Sequence, residues 1–201
     1  MQTRNFFGPV NLLLVGDSWT DDTYSHGQYS ANWPSGLVVV NEGVSGLPIS
    51  AAAGGSNSVE SRIAGYLSDN SNTDICVVCS GGINDMAVAT DQQIIDAMAA
   101  IVASIKSAGA VPVVVGIPRS SSWTSNGRND RADTIEDSYR ETYAAQGVAF
   151  VALKPFISDD RGIYAKYAED ALHLDENGAN ALGQAILSAI KVEPYRKKVA
   201  V

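Results

Sequence analysis

Five short, nearly continuous apolar runs recur along the 201-residue chain and constrain its fold more than any other feature. In chain order they read VNLLLVG, GLVVVNE, DICVVCS, VPVVVGI and VAFVALK. A strand with one face in water alternates apolar and polar residues, whereas a continuous run suits a strand covered on both faces, as in a parallel sheet. The runs therefore predict five parallel strands, each buried on both faces.

Helical patterns separate the apolar runs. The clearest, TDQQIIDAMAAIVASIKSAG, carries an apolar stripe, with Thr90 and Gln93 as a capping box and Gly109 placed to end the helix. Further helices are predicted within SVESRIAGYL, RADTIEDSYRETYAAQG and DENGANALGQAILSAI, the last burying Ile190. Alternating strands and helices imply right-handed crossovers. The predicted fold is a three-layer α/β/α sandwich around a five-stranded, flavodoxin-like parallel sheet.

Length and charge bound the class of protein. The chain fits a single domain over residues 1–201 with a short basic tail at about 194–201. A net charge of −8 argues against a nucleic-acid binder, because phosphate contacts need clustered lysine and arginine. No segment approaches the roughly 20 apolar residues that cross a bilayer, and no signal peptide is recognisable. We expect a cytoplasmic protein, with export by another route or a trimmed signal as the alternative.

Cofactor and metal chemistry finds little support in the sequence. No phosphate-binding lysine loop or dinucleotide glycine fingerprint follows any run, and two histidines are few for a zinc site. Cys76 and Cys79 lie three apart in a predicted strand, so their side chains point to opposite faces and form neither a disulfide nor a metal site. The G-x-S-x-G elbow of α/β-hydrolases does not occur either. No cofactor is expected.

Polar or glycine-rich segments follow the runs, where function gathers in an open parallel sheet. Ser18 follows the first run, and Asp170 precedes His173 by three residues, so its carboxylate can orient the imidazole. Each feature also has a plain structural explanation. Ser18 could cap a helix, Gly46 could serve a turn with positive φ, Asn84 could bond its own backbone, and the Asp–His pair could be a surface hydrogen bond.

Four of these segments, in this order, resemble the sequence blocks of the SGNH hydrolases, the GDSL-type esterases and lipases. They are GDSW at 16–19, NEGVSG around Gly46, GGIND ending in a Gly-x-Asn-Asp pattern at 82–85, and DALH at 170–173. The resemblance extends from residue 16 to residue 173, nearly the whole chain. It implies a five-stranded parallel sheet between helices, in agreement with the arrangement read from the apolar runs.

The resemblance also implies a mechanism. Ser18 would be the nucleophile, His173 would remove its proton and later protonate the leaving alcohol, and Asp170 would orient His173. The oxyanion hole would consist of the backbone N–H groups of Ser18 and Gly46 and the side-chain amide of Asn84. The substrate would be a small-molecule or glycan ester.

Two tryptophans are candidate substrate-lining residues. Trp19 stands where the family often has leucine, which changes the expected wall of the site. Trp123 lies in the loop IPRSSSWTSNGRND with Arg119, Arg128 and several hydroxyls. Aromatic faces beside hydrogen-bond donors suit a sugar ring, so the sequence favours a carbohydrate O-acetyl esterase. The alternative is a mobile polar loop without a substrate role.

Other functions and roles stay open at this point. The same triad would serve a thioesterase or a lysophospholipase, and the domain could instead be a non-catalytic binding module of a larger assembly. Asp85 is either a support for the site or a solvated carboxylate. His26 belongs to no matched block and is expected at the surface or the rim.

Overall fold

Five parallel strands form one sheet in the computed structural model, which describes residues 9–23, 29–79 and 81–190. His26 and the basic tail lie outside the described residues. The strands are β1 (Val10–Gly16), β2 (Leu37–Gly43), β3 (Ile75–Cys79), β4 (Val111–Val115) and β5 (Ala149–Val151). The helices are α1 (Ala51–Gly54), α2 (Val59–Asp69), α3 (Asp91–Ser107), α4 (Arg128–Ala145) and α5 (Glu176–Ile190). A short hairpin joins β6 (Ser158–Asp159) to β7 (Gly162–Ile163), and 3₁₀ turns span Ile83–Asp85 and Ser121–Trp123.

The strand order is β2-β1-β3-β4-β5, which is the flavodoxin-like order. The register brings the carboxyl ends of all five strands to one level. Gly16 pairs with both Gly43 and Cys79, Cys79 pairs with Val115, and Val115 pairs with Val151. The segments that leave these residues therefore emerge side by side along one edge of the sheet, and the predicted fold is confirmed.

Two apolar clusters form the core, one on each face of the sheet. One cluster joins α2, α3 and α4 to alternate residues of β1, β3 and β4, such as Leu13 and Val78. The other joins α5 and the segment after β1 to the intervening residues, such as Leu12 and Val77. Cys76 lies in the first cluster and Cys79 in the second, both as buried free thiols, as the strand spacing predicts.

The edge strand β2 departs from the prediction that every strand is covered on both faces. Val38 and Val40 are 46% and 37% exposed, whereas Leu37 and Val39 pack against the second core cluster. The buried residues of the first cluster include none from β2, because its helices lie over β1, β3 and β4. An apolar run indicates a strand, but it does not reveal which strand lies at the edge.

The helix ends follow the sequence signals. Thr90 accepts a hydrogen bond from the backbone of Gln93, whose side chain bonds back to the Thr90 N–H, so the predicted capping box begins α3. Gly109 follows α3 with φ of 84°, a conformation that favours glycine. Ile190 is only half-buried, unlike Leu182 and Ile186 in α5. No helix in the described ranges has the length and apolar character needed to cross a membrane.

Candidate active site

Ser18 lies in a tight turn directly after β1. The backbone N–H groups of Thr20 and Asp21 both donate to the Asp17 carbonyl, and the Asp17 carboxylate accepts the N–H of Trp19. Gly16 admits this turn because a Cβ there would lie 2.0 Å from the Cys79 carbonyl oxygen. No helix begins after Ser18 before residue 51 within the described residues, so the alternative in which Ser18 caps a following helix is wrong.

His173 and Asp170 lie in a short antiparallel turn, the histidine hairpin, defined here as residues 168–174. A β-bridge joins Ala168 to Leu174, and the Glu169 N–H donates to the His173 carbonyl. His173 Nδ1 is 2.9 Å from the Asp170 carboxylate, and Nε2 is 3.1 Å from Ser18 Oγ. With Nδ1–H donating to the carboxylate, Nε2 is the acceptor for the Ser18 hydroxyl. The structure therefore joins Ser18, His173 and Asp170 in one hydrogen-bonded series.

Asp170 binds its own hairpin as well as the imidazole. Its second carboxylate oxygen accepts the backbone N–H groups of Leu172 at 2.6 Å and His173 at 2.7 Å. Burial alone would raise the pKa of Asp170, but the hydrogen bonds from His173 and Leu172 outweigh it and lower the pKa below its ordinary value. The carboxylate is thus held ionised at neutral pH, the state that orients a neutral imidazole and stabilises its protonated form.

Gly46 and Asn84 meet the nucleophile turn from the two neighbouring strands. Gly46 has φ of 75° in a turn closed by the Leu47 N–H and the Val44 carbonyl, so its positive-φ explanation is correct, and a Cβ there would meet nothing within 4 Å. Among the described residues, no acceptor bonds the backbone N–H of Ser18 or Gly46. Both groups are therefore available to a ligand atom.

The Asn84 amide links the other two turns. Its Nδ2 lies 3.0 Å from the Asp17 carboxylate and 3.2 Å from the Leu47 carbonyl, that is, from the neighbours of Ser18 and Gly46. The Asx-turn explanation is therefore wrong, because the amide bonds residues distant in sequence. Asp17 is fully buried and was missed at the sequence level as an anchor of Asn84. Its position inside the GDSW block was the one available signal.

Asp85 supports the site from within the core. It is fully buried, and its carboxylate accepts the backbone N–H groups of Ile49 and Ser50 and the Ser50 hydroxyl. Burial raises its pKa, although these hydrogen bonds oppose the shift. The alternative of a solvated carboxylate is wrong. Asp85 instead ties the segment that carries Asn84 to the segment that follows Gly46.

The two tryptophans pack in the core, which lends no support to the expectation that they line the site. Trp19 is 6% exposed and packs in the second core cluster, and Trp123 is 8% exposed and packs in the first. Arg119, from the same loop as Trp123, is buried in ion pairs with Asp133 and Glu136. Aromatic side chains have too much apolar area to remain exposed when a core position is available, and their orientation cannot be read from a loop sequence.

Metal-ligand geometry is not found in the described part of the chain. No group of three or more His, Cys, Asp or Glu side chains there could hold a metal ion.

Comparisons with known proteins agree with the four sequence blocks. Residues 14–181 match the GDSL-like Lipase/Acylhydrolase family. A GDSL-like lipase from Bacteroides thetaiotaomicron has a similar fold, with 15% identity over 90% of this chain and 87% of that chain and a TM-score of 0.73. Two more solved structures share the fold at low identity, and a sequence comparison with curated proteins gives no significant match.

The first of these two is a catalytic mutant of Axe2, an acetylxylan esterase from Geobacillus stearothermophilus. It has 17% identity over 94% of this chain and 98% of that chain, with a TM-score of 0.70. The second is TesA, with 20% identity over 90% of this chain and 98% of that chain and a TM-score of 0.66. At these identities the likeness concerns the fold.

Proposed function

The chain belongs to the GDSL-like lipase/acylhydrolase family and is an SGNH-type serine hydrolase, and on this premise we propose that it is an esterase that removes small acyl groups from a polyhydroxylated substrate. Acetyl is the proposed acyl group, and a carbohydrate is the proposed alcohol. The observation that carries the proposal is the series of hydrogen bonds from Ser18 Oγ through His173 to Asp170. A hydroxyl, an imidazole and a carboxylate in this arrangement form an activated nucleophile.

The reaction begins when Ser18 Oγ attacks the ester carbonyl carbon and its proton moves to His173 Nε2. The tetrahedral intermediate collapses as His173 gives that proton to the departing alcohol, which leaves an acyl-serine. Water then attacks the acyl carbon, again with His173 as base, and the acid and free Ser18 are released. Asp170 keeps Nδ1 protonated throughout, so that Nε2 stays available as the proton acceptor.

The oxyanion accepts hydrogen bonds from the backbone N–H groups of Ser18 and Gly46 and from Asn84 Nδ2. Both Asn84 amide hydrogens already have acceptors in the resting site, Asp17 and the Leu47 carbonyl. A charged oxygen forms a stronger hydrogen bond than a neutral carbonyl. The oxyanion therefore competes successfully with the Leu47 carbonyl, and Asn84 strengthens its bond only as charge develops in the transition state.

The proposed substrate class rests on the loop between β4 and α4, which leaves the same edge of the sheet as Ser18. Five polar residues of this loop are exposed: Ser121, Ser122, Thr124, Ser125 and Asn126. Hydroxyl and amide groups of this kind suit a polyhydroxylated alcohol, whereas Trp123 packs in the core. Large exposed apolar side chains among the described residues are few, and only Val88 lies close in sequence to Asn84. This surface favours a short acyl group, and a similar fold occurs in an acetylxylan esterase.

Substitution of the nucleophile is the direct test. We expect Ser18→Ala to lower the turnover of p-nitrophenyl acetate by at least about 10³-fold, because loss of a triad nucleophile removes the covalent route. Ser104→Ala, on the exposed face of α3, is the matched control and should retain full activity. Acetyl, butanoyl and octanoyl esters and acetylated sugars are compared in the same assay, with released acid as the readout.

The outcomes separate the alternatives. Full activity in folded Ser18→Ala would remove Ser18 from the mechanism. Activity that rises towards octanoyl would favour the thioesterase or lysophospholipase with the same triad over the acetylesterase. A folded wild-type protein that neither turns over esters nor reacts with a fluorophosphonate probe at Ser18 would favour a non-catalytic binding module.

A further inference from the structure

Trp19 connects the nucleophile turn to the histidine hairpin. Its indole N–H donates to the backbone carbonyl of Leu172 at 3.1 Å, although the two residues are 153 positions apart. Its own backbone N–H donates to the Asp17 carboxylate at 3.0 Å, which fixes the base of the side chain. Trp19 is therefore held by hydrogen bonds at its backbone and at its indole ring. Ser18 directly precedes Trp19 in the chain, and His173 directly follows Leu172, whose carbonyl accepts the indole N–H.

The acceptor is the peptide group that leads into His173. Its carbonyl, from Leu172, accepts the Trp19 indole N–H, and its N–H, from His173, donates to the Asp170 carboxylate at 2.7 Å. One bond comes from the core and the other from within the hairpin. The two bonds together restrain the peptide group that leads into the imidazole-bearing residue from both sides.

We propose that Trp19 is a positioning residue that sets the distance and angle between Ser18 Oγ and His173 Nε2. This inference rests on the proposed function, since it assumes that these two atoms exchange a proton. The leucine often found at this position in the family has no N–H, so it cannot donate to the Leu172 carbonyl. Trp19 is buried and acts through His173, not through contact with substrate.

Trp19→Phe tests the inference because it removes the N–H and keeps an aromatic ring. We expect kcat for p-nitrophenyl acetate to fall about 2- to 10-fold, the change that one neutral hydrogen bond supplies. KM should stay unchanged, because the Trp19 ring packs in the second core cluster. Phenylalanine is smaller than tryptophan and can also disturb packing, so a second variant separates the two effects. Replacement of Trp19 by 3-benzothienylalanine puts sulfur in place of the N–H in a ring of the same shape, and it should lower kcat by the same factor.

Trp33→Phe is the matched control. The Trp33 indole N–H is buried without a hydrogen-bond acceptor among the described residues, and its ring packs against the second core cluster. Trp33→Phe removes an indole N–H on the same face of the sheet as Trp19, but it removes no hydrogen bond to the histidine hairpin. We expect its kcat and KM to match those of the wild type.

Three results would overturn the inference: an unchanged kcat in folded Trp19→Phe, a loss no larger than that of Trp33→Phe, or a rise in KM instead of a fall in kcat. A rise in KM would make Trp19 a substrate contact. Failure of the inference remains distinct from failure of the proposed function, because Ser18→Ala would still be inactive in the first case and would be fully active in the second.

Discussion

The two sides of the proposed site are built differently. The donor half comprises the turns at residues 16–21 and 44–47 and the segment 81–91, all of which leave neighbouring strands of the sheet. The other side is the histidine hairpin, which follows the fifth strand by a long irregular connection. Buried polar groups hold the donor half, whereas the polar side chains of the hairpin are held by short-range bonds and by hydrogen bonds to residues 18 and 19. The hairpin is joined to the core by Leu174, which packs in the second core cluster.

Buried or half-buried side chains from three directions secure the donor half. Asp85 binds the segment after Gly46, as described above, and Asp17 binds Asn84. From α4, the Tyr139 hydroxyl donates to the Gly81 carbonyl at 3.1 Å, and Arg131 donates to the carbonyls of Met86 and Ala89 at 2.6 and 2.7 Å. The backbone is therefore anchored on both sides of Asn84.

The histidine hairpin has a different character. The Asp170 side chain is 55% exposed, and its carboxylate serves residues within three positions of itself. The contrast fits the chemistry that each side has to perform. Donors to an oxyanion are effective only when they are fixed before charge develops, whereas a proton carrier needs one correct distance and the correct tautomer. Substitutions in the hairpin should therefore affect activity without stability, and those in the donor half should affect both.

Asp170→Asn should give the largest loss of activity. The asparagine oxygen can still accept hydrogen bonds from the N–H groups of Leu172 and His173, but its NH₂ group cannot accept a hydrogen bond from Nδ1–H. His173 then carries its proton on Nε2, facing Ser18, and cannot act as base. We expect kcat to fall by up to about 10⁴-fold, as the same change does in a serine protease triad. The free energy of unfolding, measured with urea, should change by less than about 1 kcal/mol.

Asp137→Asn is the control for loss of a surface carboxylate, since Asp137 pairs with Arg140 on the exposed face of α4. It should change neither kcat nor stability measurably. A Asp170→Asn variant that retains wild-type kcat would show that the imidazole needs no carboxylate partner. A variant that unfolds would contradict the claim that the exposed Asp170 side chain contributes little to stability.

Asn84→Ala should lower kcat less, by about 10²–10³-fold, the usual cost of removing one oxyanion donor. It also removes the bonds to Asp17 and the Leu47 carbonyl, so the free energy of unfolding should fall by about 1–3 kcal/mol. Activity assays on the folded fraction and urea titration measure the two effects separately. A decrease in both kcat and the free energy of unfolding is expected for a residue of the donor half.

Asn129→Ala is the matched control for this variant. The buried Asn129 amide donates to the carbonyls of Ser120 and Asp160, and its oxygen accepts the Ser120 N–H, so the variant loses three comparable bonds. These bonds lie in the loop after β4, apart from the triad and the oxyanion donors, and p-nitrophenyl acetate has no sugar for that loop to contact. We expect a similar loss of stability and an unchanged kcat. If Asn84→Ala lowered kcat no further than Asn129→Ala, Asn84 would be an anchor between two turns and not an oxyanion donor.

The sheet and the positions of the four sequence blocks could be predicted from the sequence because both depend on local signals. A continuous apolar run marks a strand whatever it packs against, and the Thr90 capping box and Gly109 mark helix ends within a few residues. The strand order then brings Ser18, Gly46 and Asn84 to one edge without further information.

Properties that depend on distant partners could not be predicted in this way. The burial of Asp85, Trp19 and Trp123 follows from neighbours far away in the chain, and a loop sequence alone does not reveal whether a ring faces the core or a crevice. The bond between Asp17 and Asn84 spans 67 positions. For the same reason the exposed face of β2 was missed, since edge position is a property of the whole sheet.

Asp85→Asn should lower activity less than Asp170→Asn and Asn84→Ala do. Its main effect should be on stability, and the pH dependence of that effect distinguishes the donor half from the histidine hairpin. We expect a loss of about 1–3 kcal/mol in the free energy of unfolding, because an amide cannot accept every bond that the carboxylate accepts. The pKa of Asp85 is raised in the folded state, so its stabilising contribution is present below the unfolded pKa of about 3.9 and is lost as the pH rises through the folded value. The wild type's advantage over Asp85→Asn should therefore shrink as the pH rises.

Asp170 should behave in the opposite sense. Its pKa is lowered, so its contribution is present above the unfolded value and is lost as the pH falls through the folded one. Urea titrations of the wild type, Asp85→Asn and Asp170→Asn between about pH 3 and pH 6, on both sides of the unfolded pKa, measure both slopes. Equal signs would mean that the two carboxylates sit in equivalent surroundings, and the distinction between a buried donor half and an exposed hairpin would then fail.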